Sequence, residues 1–200
     1  MGVDITFFAE HRSPTNYWSV VGDLVSNPNY FPDDLDLAIA PELIPAALDI
    51  PRCSALFAIL ANVNNERAPV PYESIAQPRG IPTDASLATK TWFKAWGDDA
   101  FAASWLTLNE IDSFAWKRVS QHFGDVDPRA AHLFVKNPLG FPFASWPEGL
   151  QVSYSTSRTD SGNARWRATY AESAGFKWFR EMLTPFERYE TVRFIFWFDR

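Results

Sequence analysis

The segment that decides the fold is Thr191 to Phe198, which reads TVRFIFWF. It consists largely of aromatic and β-branched residues, which favour an extended backbone. Apart from Arg193, both faces of such a strand are apolar. A strand that is apolar on both faces is typical of one covered on both sides, so we expect it to lie in the centre of its sheet.

A second strand signal lies towards the other end of the sequence, at residues 4–10, which read DITFFAE. A turn at 13–16 and the short segment 17–21 predict a hairpin partner for it. Two further strand-like segments, 151–157 and 165–170, are predicted to form a hairpin with each other across a polar turn.

Helix signals lie mostly between these strands. An apolar run predicts a buried helix at 54–63, and capping residues predict helices at 83–96, 107–123 and 174–189. Strands near both ends with helices between them predict an α+β fold. We expect a mixed or antiparallel sheet, made by the N- and C-terminal strands and packed with about four helices.

Two proline-rich excursions separate these elements, at 27–51 and 64–82. Each proline removes a backbone donor and restricts φ, so long loops are expected there. The apolar residues within 27–51 predict that this loop packs against the body of the protein. A length of 200 residues predicts a single globular domain over residues 1–200.

Composition and charge argue against several classes of protein. The formal net charge is −6, made up of −7 in residues 1–100 and +1 in residues 101–200. An acidic chain repels phosphate backbones, which argues against binding to duplex nucleic acid. The longest apolar run has seven residues, too few to span a membrane, and no secretory signal is visible, so we expect a cytoplasmic protein. The sole cysteine, Cys53, leaves no intrachain disulfide.

Three side chains are candidates for catalysis: Asp4, His122 and His132. Carboxylates and histidines are the usual groups for acid–base catalysis and for binding metals. No two histidines have the spacing of a helical metal pair, and the sequence contains no glycine-rich phosphate loop and no nucleophile elbow. The prediction is therefore no cofactor and no metal, unless the fold brings the histidines to a carboxylate.

A stiff loop at residues 77–82, which read QPRGIP, provides the candidate binding surface. Prolines on both sides hold Arg79, and a rigidly presented arginine suits the clamping of an anion. The same arginine is equally suited to pair with a carboxylate of its own chain. The other candidate binding residues are Asn62, Asn64, Asn65, Trp105 and Thr107.

Five strings occur in a fixed order along the chain: MG-x-DI at 1–5, LFAILANV at 56–63, PRGIPTD at 78–84, SWLTL-x-E at 104–110 and VRFIFWFD at 192–199. As a set they resemble a family of uncharacterised proteins of bacteriophages and prophages. That family opens with Met-Gly-Cys-Asp-Ile-His, whereas this chain has Val3 and Thr6 at the corresponding positions. The resemblance implies a phage setting without a known activity. If Asp4 and the histidines of the family form a metal or acid–base centre there, this chain has kept Asp4 and lost its histidine partners.

These features predict a non-catalytic binding protein, namely a phage-encoded accessory or counter-defence factor. It would capture a host protein or a small anionic, nucleotide-like signal. The alternative is a metal-assisted hydrolase of a small phosphorylated or nucleotide substrate, with Asp4 and His122 or His132 at its centre.

Overall fold

A computed structural model of the protein describes residues 2–31 and 41–199. Within these ranges the strands are β1 (Asp4–Arg12), β2 (Trp18–Val20), β3 (Leu24–Ser26), β4 (Leu43–Pro45), β5 (Phe101–Thr107), β6 (Val119–Val126), β7 (Tyr154–Ser157), β8 (Ala164–Thr169) and β9 (Val192–Asp199). The α-helices are α1 (Ser54–Ala61), α2 (Leu87–Trp96), α3 (Leu108–Ser113), α4 (Tyr170–Ser173) and α5 (Phe176–Leu183).

The chain divides into two compact units. The first comprises Met1–Arg52, Ile75–Ser113 and Phe179–Arg200, and the second comprises Cys53–Ser74 and Phe114–Trp178. All pairings between the named strands are antiparallel, and helices accompany the strands. The predicted α+β class is therefore confirmed, whereas the single domain over residues 1–200 stays a prediction.

The main sheet of the first unit has the strand order β2-β1-β9-β5. β9 lies between β1 and β5 and is buried from Val192 to Phe198, which confirms the central position predicted for this segment. On one face, Phe8 and Trp197 pack with Trp92 of α2. On the other face, the ring of Phe7 stacks on Phe194 and Phe196, with ring centroids 5.5 Å apart in both cases.

Arg193, the polar exception in β9, is only 3 % exposed. Its Nε and Nη2 atoms donate to Glu10 Oε2 at 3.0 and 2.8 Å, and Nη1 donates to Asp84 Oδ1 at 2.7 Å. The Trp18 ring covers the guanidinium at 3.8 Å. Thr89 Oγ1 donates to the other oxygen of Glu10 at 2.6 Å. Several hydrogen bonds therefore compensate for the burial of the charged groups of Glu10 and Arg193 within the sheet.

The second unit contains a sheet of order β7-β6-β8, and two predictions fail here. The helix predicted over 107–123 ends at Ser113, and β6 follows it. The segments predicted as one hairpin, now β7 and β8, do not pair with each other because β6 lies between them. Gly124 permits this arrangement, since a Cβ atom there would stand 1.9 Å from the carbonyl oxygen of Ser155.

The other helix predictions are confirmed in part. The buried helix appears as α1, and α2 ends at Trp96 with Gly97 as its cap. α2 begins at Leu87, later than predicted, because Ser86 is its N-cap and Asp84 pairs with Arg193 instead. The helix predicted over 174–189 forms only as α5, which is shorter at both ends. Gly175, which has a φ of +63°, separates α5 from the short helix α4 that precedes the predicted range.

Where the structure describes the proline-rich excursions, at 27–31, 41–51 and 64–82, they have little regular structure, as predicted, with β4 as a short exception in the first of them. Part of the predicted packing of 27–51 falls on residues 32–40, which lie outside the described residues. No helix in the described part of the chain combines the length and apolar character needed to cross a membrane.

Candidate functional site

The second unit contains a cleft of about 580 Å³. This volume is in the range of small-molecule binding sites, roughly 300–1,000 Å³. One part of its wall is aromatic and the other part is polar. The aromatic part includes Phe141, Phe143, Tyr154 and Trp166, and the polar part includes Cys53, Tyr72, His122, Glu172 and Ser173.

The aromatic wall is centred on Phe141. Its ring lies 4.6 Å from the rings of Phe143 and Tyr154 and 5.4 Å, edge to face, from that of Trp166. Trp166 is buried, whereas Phe143 is 58 % exposed and Tyr154 is 49 % exposed. Exposed rings that border a concave site leave apolar surface that a bound ring would cover.

His122 of β6 joins the aromatic wall to the polar end. Its ring stacks on Trp166, with centroids 5.4 Å apart and planes 17° from parallel. Its Nε2 atom lies 3.0 Å from Ser120 Oγ and 3.4 Å from Ser173 Oγ. Burial lowers the pKa of His122 below its ordinary value of 6.5, so the imidazole is neutral at pH 7.

Ser173, the last residue of α4, lies at the polar end of the cleft. Besides the contact of its hydroxyl with His122, its carbonyl oxygen accepts a hydrogen bond from the thiol of Cys53 at 3.7 Å. Cys53 is half-buried and is the N-cap of α1. Tyr72 completes this end of the cleft, and burial raises the pKa of its phenol to about 12.

The three predicted binding asparagines lie at and just after the C-terminus of α1, and one of them contacts Tyr72. Asn65 pairs with both backbone groups of Tyr72: its Nδ2 donates to the carbonyl at 2.8 Å, and its Oδ1 accepts from the N–H at 2.9 Å. Asn62 caps the C-terminus of α1 in the left-handed region, with a φ of 59°, and Asn64 has a φ of 55°. Of these three, Asn65 positions a residue of the cleft wall.

Glu172 is the one residue with a charged side chain among the described residues that line the cleft, since His122 is neutral there. Its carboxylate belongs to a capping box with Thr169: Oε2 accepts from the Thr169 N–H at 2.7 Å and from Oγ1 at 2.9 Å. The lining described contains no lysine or arginine. The cleft therefore favours an uncharged molecule over an anion.

The candidate surface around Arg79 lies in the first unit, and the structure does bring three of its residues together. Arg79 Nη2 donates to Glu110 Oε1 at 2.6 Å, and its guanidinium lies 4.9 Å from the centre of the Trp105 ring. Glu110 also forms the predicted capping box with Thr107. Because Arg79 pairs with a carboxylate of its own chain, an anion would have to displace Glu110. Binding by Arg79 stays a prediction.

The predicted catalytic residues are divided between the two units. Asp4 belongs to the first unit, where hydrogen bonds from Arg52 hold the pKa of its carboxyl below 3.8. His122 and His132 belong to the second unit, where His132 is exposed and its Nδ1 lies 2.9 Å from the carbonyl oxygen of Arg129. In residues 2–31 and 41–199, no three His, Cys, Asp or Glu side chains come together as a metal site would require.

Sequence reasoning identified His122 but missed the rest of the cleft. Tyr72, Phe141 and Ser173 are distant in sequence, and no motif connects them. One local signal was present. The segment 141–146, FPFASW, places three aromatic side chains in a proline-containing loop, where rings have less chance of full burial.

Comparison with family models, with curated proteins and with solved structures gave no match.

Proposed function

We propose that the protein is a non-catalytic binding protein that takes an uncharged planar ring system into the cleft of the second unit. The supporting observation is the position of Phe143 and Tyr154, which are about half exposed on the wall of a cleft large enough for a nucleobase or nucleoside. Stacking on such rings contributes about 1–3 kcal/mol per base in single-stranded nucleic-acid binding.

The polar end supports this choice of ligand. The neutral imidazole of His122 and the hydroxyl of Ser173 are groups that can hydrogen-bond to an uncharged heterocycle, whereas Glu172 would repel a phosphate group. In the phage setting implied by the sequence resemblance, the protein would be an accessory or counter-defence factor that withdraws a small molecule from the host. Capture of a host protein stays a prediction, and the cleft gives no argument for or against it.

Cys53 allows a direct test, because it is the sole cysteine and lines the cleft. Adenosine, guanosine and quinoline would be titrated by calorimetry, and the rate of alkylation of Cys53 by iodoacetamide would be followed at each concentration. We expect these rings to bind and to slow alkylation in proportion to occupancy. Adenosine 5′-monophosphate should bind more weakly than adenosine.

Two matched variants test the aromatic wall. Phe143→Ala removes a ring that lines the cleft, and Leu139→Ala removes a side chain that is 59 % exposed in the same loop but is not part of the lining. We expect Phe143→Ala to weaken adenosine binding about tenfold or more, and Leu139→Ala to leave it unchanged. If no ring binds, or if binding leaves the alkylation rate unaltered, the proposed function is wrong.

A further inference from the structure

The hydroxyl of Tyr72 is a buried polar group without a partner. Tyr72 is only 4 % exposed, and its Oη atom forms no hydrogen bond within the described residues. The other two such groups are the indole N–H groups of Trp146 and Trp197, which do not line the cleft. Buried polar groups almost always have a partner, so the exception needs an explanation.

Loose placement of the side chain does not explain it. Two hydrogen bonds with Asn65, one donated and one accepted by its amide, fix the backbone of Tyr72 at 2.8 and 2.9 Å. Its ring packs against that of Tyr170, with centroids 4.9 Å apart and planes at 76°. The hydroxyl is therefore held in one place. With a pKa of about 12, it keeps its proton at neutral pH and is available as a donor.

The surroundings of the hydroxyl indicate where a partner would come from. Tyr72 lines the cleft beside Ser173, whose hydroxyl is near enough to the phenol to lower its pKa in part, against the larger effect of burial. Ser173 is half-buried, and its Oγ lies at the long distance of 3.4 Å from His122 Nε2. The Ser173 hydroxyl is therefore only weakly held by His122.

We propose that Tyr72 Oη donates a hydrogen bond to an acceptor atom at the edge of the bound ring, once the Ser173 side chain has turned aside. The inference rests on the proposed function and narrows its ligand class. The ligands are uncharged aromatic heterocycles that carry a ring nitrogen or a carbonyl oxygen at the edge facing Tyr72. A planar hydrocarbon of the same shape lacks that hydrogen bond.

Tyr170 supplies a matched control. Its hydroxyl accepts a hydrogen bond from the backbone N–H of Glu73 at 3.3 Å, and it is not part of the cleft lining. Replacing either tyrosine by phenylalanine removes one oxygen atom from a buried ring. Tyr72→Phe removes a hydroxyl without a partner, whereas Tyr170→Phe removes one that satisfies the backbone.

The test measures the affinities of quinoline and naphthalene, which have the same shape but differ in the ring nitrogen, for the wild type, Tyr72→Phe and Tyr170→Phe. We expect Tyr72→Phe to weaken the affinity for quinoline about five- to tenfold and to change the affinity for naphthalene by less than about twofold. Tyr170→Phe should leave both affinities unchanged. The melting temperature should stay level or rise in Tyr72→Phe and fall by about 2–4 °C in Tyr170→Phe.

The outcomes separate this inference from the proposed function. If quinoline and naphthalene both bind, and Tyr72→Phe changes neither affinity, the proposed function stands and the role of Tyr72 is wrong. If Tyr72→Phe weakens the binding of both rings equally, or has a lower melting temperature than Tyr170→Phe, the Tyr72 hydroxyl has a structural role and the inference is also wrong. If neither ring binds the wild type, both proposals are overturned.

Discussion

Glu10 and Arg193 face each other directly across the β1–β9 ladder, and both charged side chains are buried. Glu10 is completely covered and Arg193 is 3 % exposed, and two hydrogen bonds join them at 2.8 and 3.0 Å. A buried ion pair tolerates the loss of one partner poorly, because the remaining charge is left in an apolar environment.

The first prediction concerns this pair. Glu10→Leu should lower the free energy of unfolding by about 3 kcal/mol or more, since Arg193 is then left with the exposed Asp84 as its carboxylate partner. The double variant Glu10→Leu with Arg193→Leu should lose less free energy of unfolding than the two single variants lose together. Urea denaturation of the wild type, the two single variants and the double variant gives the coupling free energy between Glu10 and Arg193. Additive losses of stability would contradict a paired role.

The second prediction concerns Asn65, whose amide satisfies the backbone of Tyr72. Asn65→Ala leaves the N–H and the carbonyl of Tyr72 without these partners and should lower the free energy of unfolding by about 2 kcal/mol. Asn65→Asp keeps the acceptor for the N–H and loses the amide donor, so it should lie between alanine and the wild type. Equal stability of all three proteins in urea denaturation would show that the pairing of Asn65 with the Tyr72 backbone contributes nothing to the free energy of unfolding.

The third prediction follows from the lowered pKa of His122. In the folded protein the imidazole stays neutral, whereas in the unfolded chain it binds a proton near pH 6.5, so acid favours unfolding. The free energy of unfolding should fall as the pH drops from 6.5 towards the folded pKa. His122→Gln should flatten this part of the curve.

Direct titration offers an independent reading, because the chain has only three histidines. The imidazole resonance assigned to His122 by its absence from His122→Gln should shift at a pH below 6.5. A midpoint at or above 6.5 would contradict the effect of burial.

The fourth prediction concerns Asp199, which faces Asp4 across the same strand pair. Burial, and next the charge of Asp4, raises the pKa of Asp199 above 3.8. Its ionised form is therefore unfavourable, and the cost is incurred as the pH rises through the folded pKa. Asp199→Asn should stabilise the protein at pH 7 and have no such effect well below pH 3.8. Thermal melts at the two pH values measure the effect, with Asp98→Asn as the surface control. Equal changes in melting temperature at both pH values, caused by Asp199→Asn, would contradict the prediction.

Much of the first unit was predictable from sequence because its strands have strong, local apolar patterns. The segments that became β1 and β9 are dense in aromatic residues, and β9 is covered on both faces as its composition indicates. β5 escaped prediction. Its start is irregular, with Ala102 at a φ of 49° and a shift of register before Ser104, which breaks the alternation of a strand.

The second unit was less predictable because its sheet depends on contacts between distant residues. β6 reads VSQHFGDV, a polar segment whose extended form is fixed by β7, by β8 and by the close approach at Gly124. The side chain of Asn163 also completes this edge by pairing with the N–H and the carbonyl of Val126, both at 2.8 Å. No short window of sequence contains these contacts. The same holds for the cleft, whose polar end joins Tyr72, His122 and Ser173.

The position of β9 has a consequence for how the protein is made. β9 is the last strand of its sheet to be translated, yet it lies between β1 and β5. On the ribosome, the edge of β1 that receives β9 stays unpaired while some 180 residues are added, which takes roughly ten to forty seconds. The residues of the second unit end at Trp178 and are all synthesised within that interval. Until β9 emerges, the apolar segment around Phe7 and Phe8 lacks its central neighbour in the sheet, and unpaired apolar strand edges of this kind are prone to aggregate.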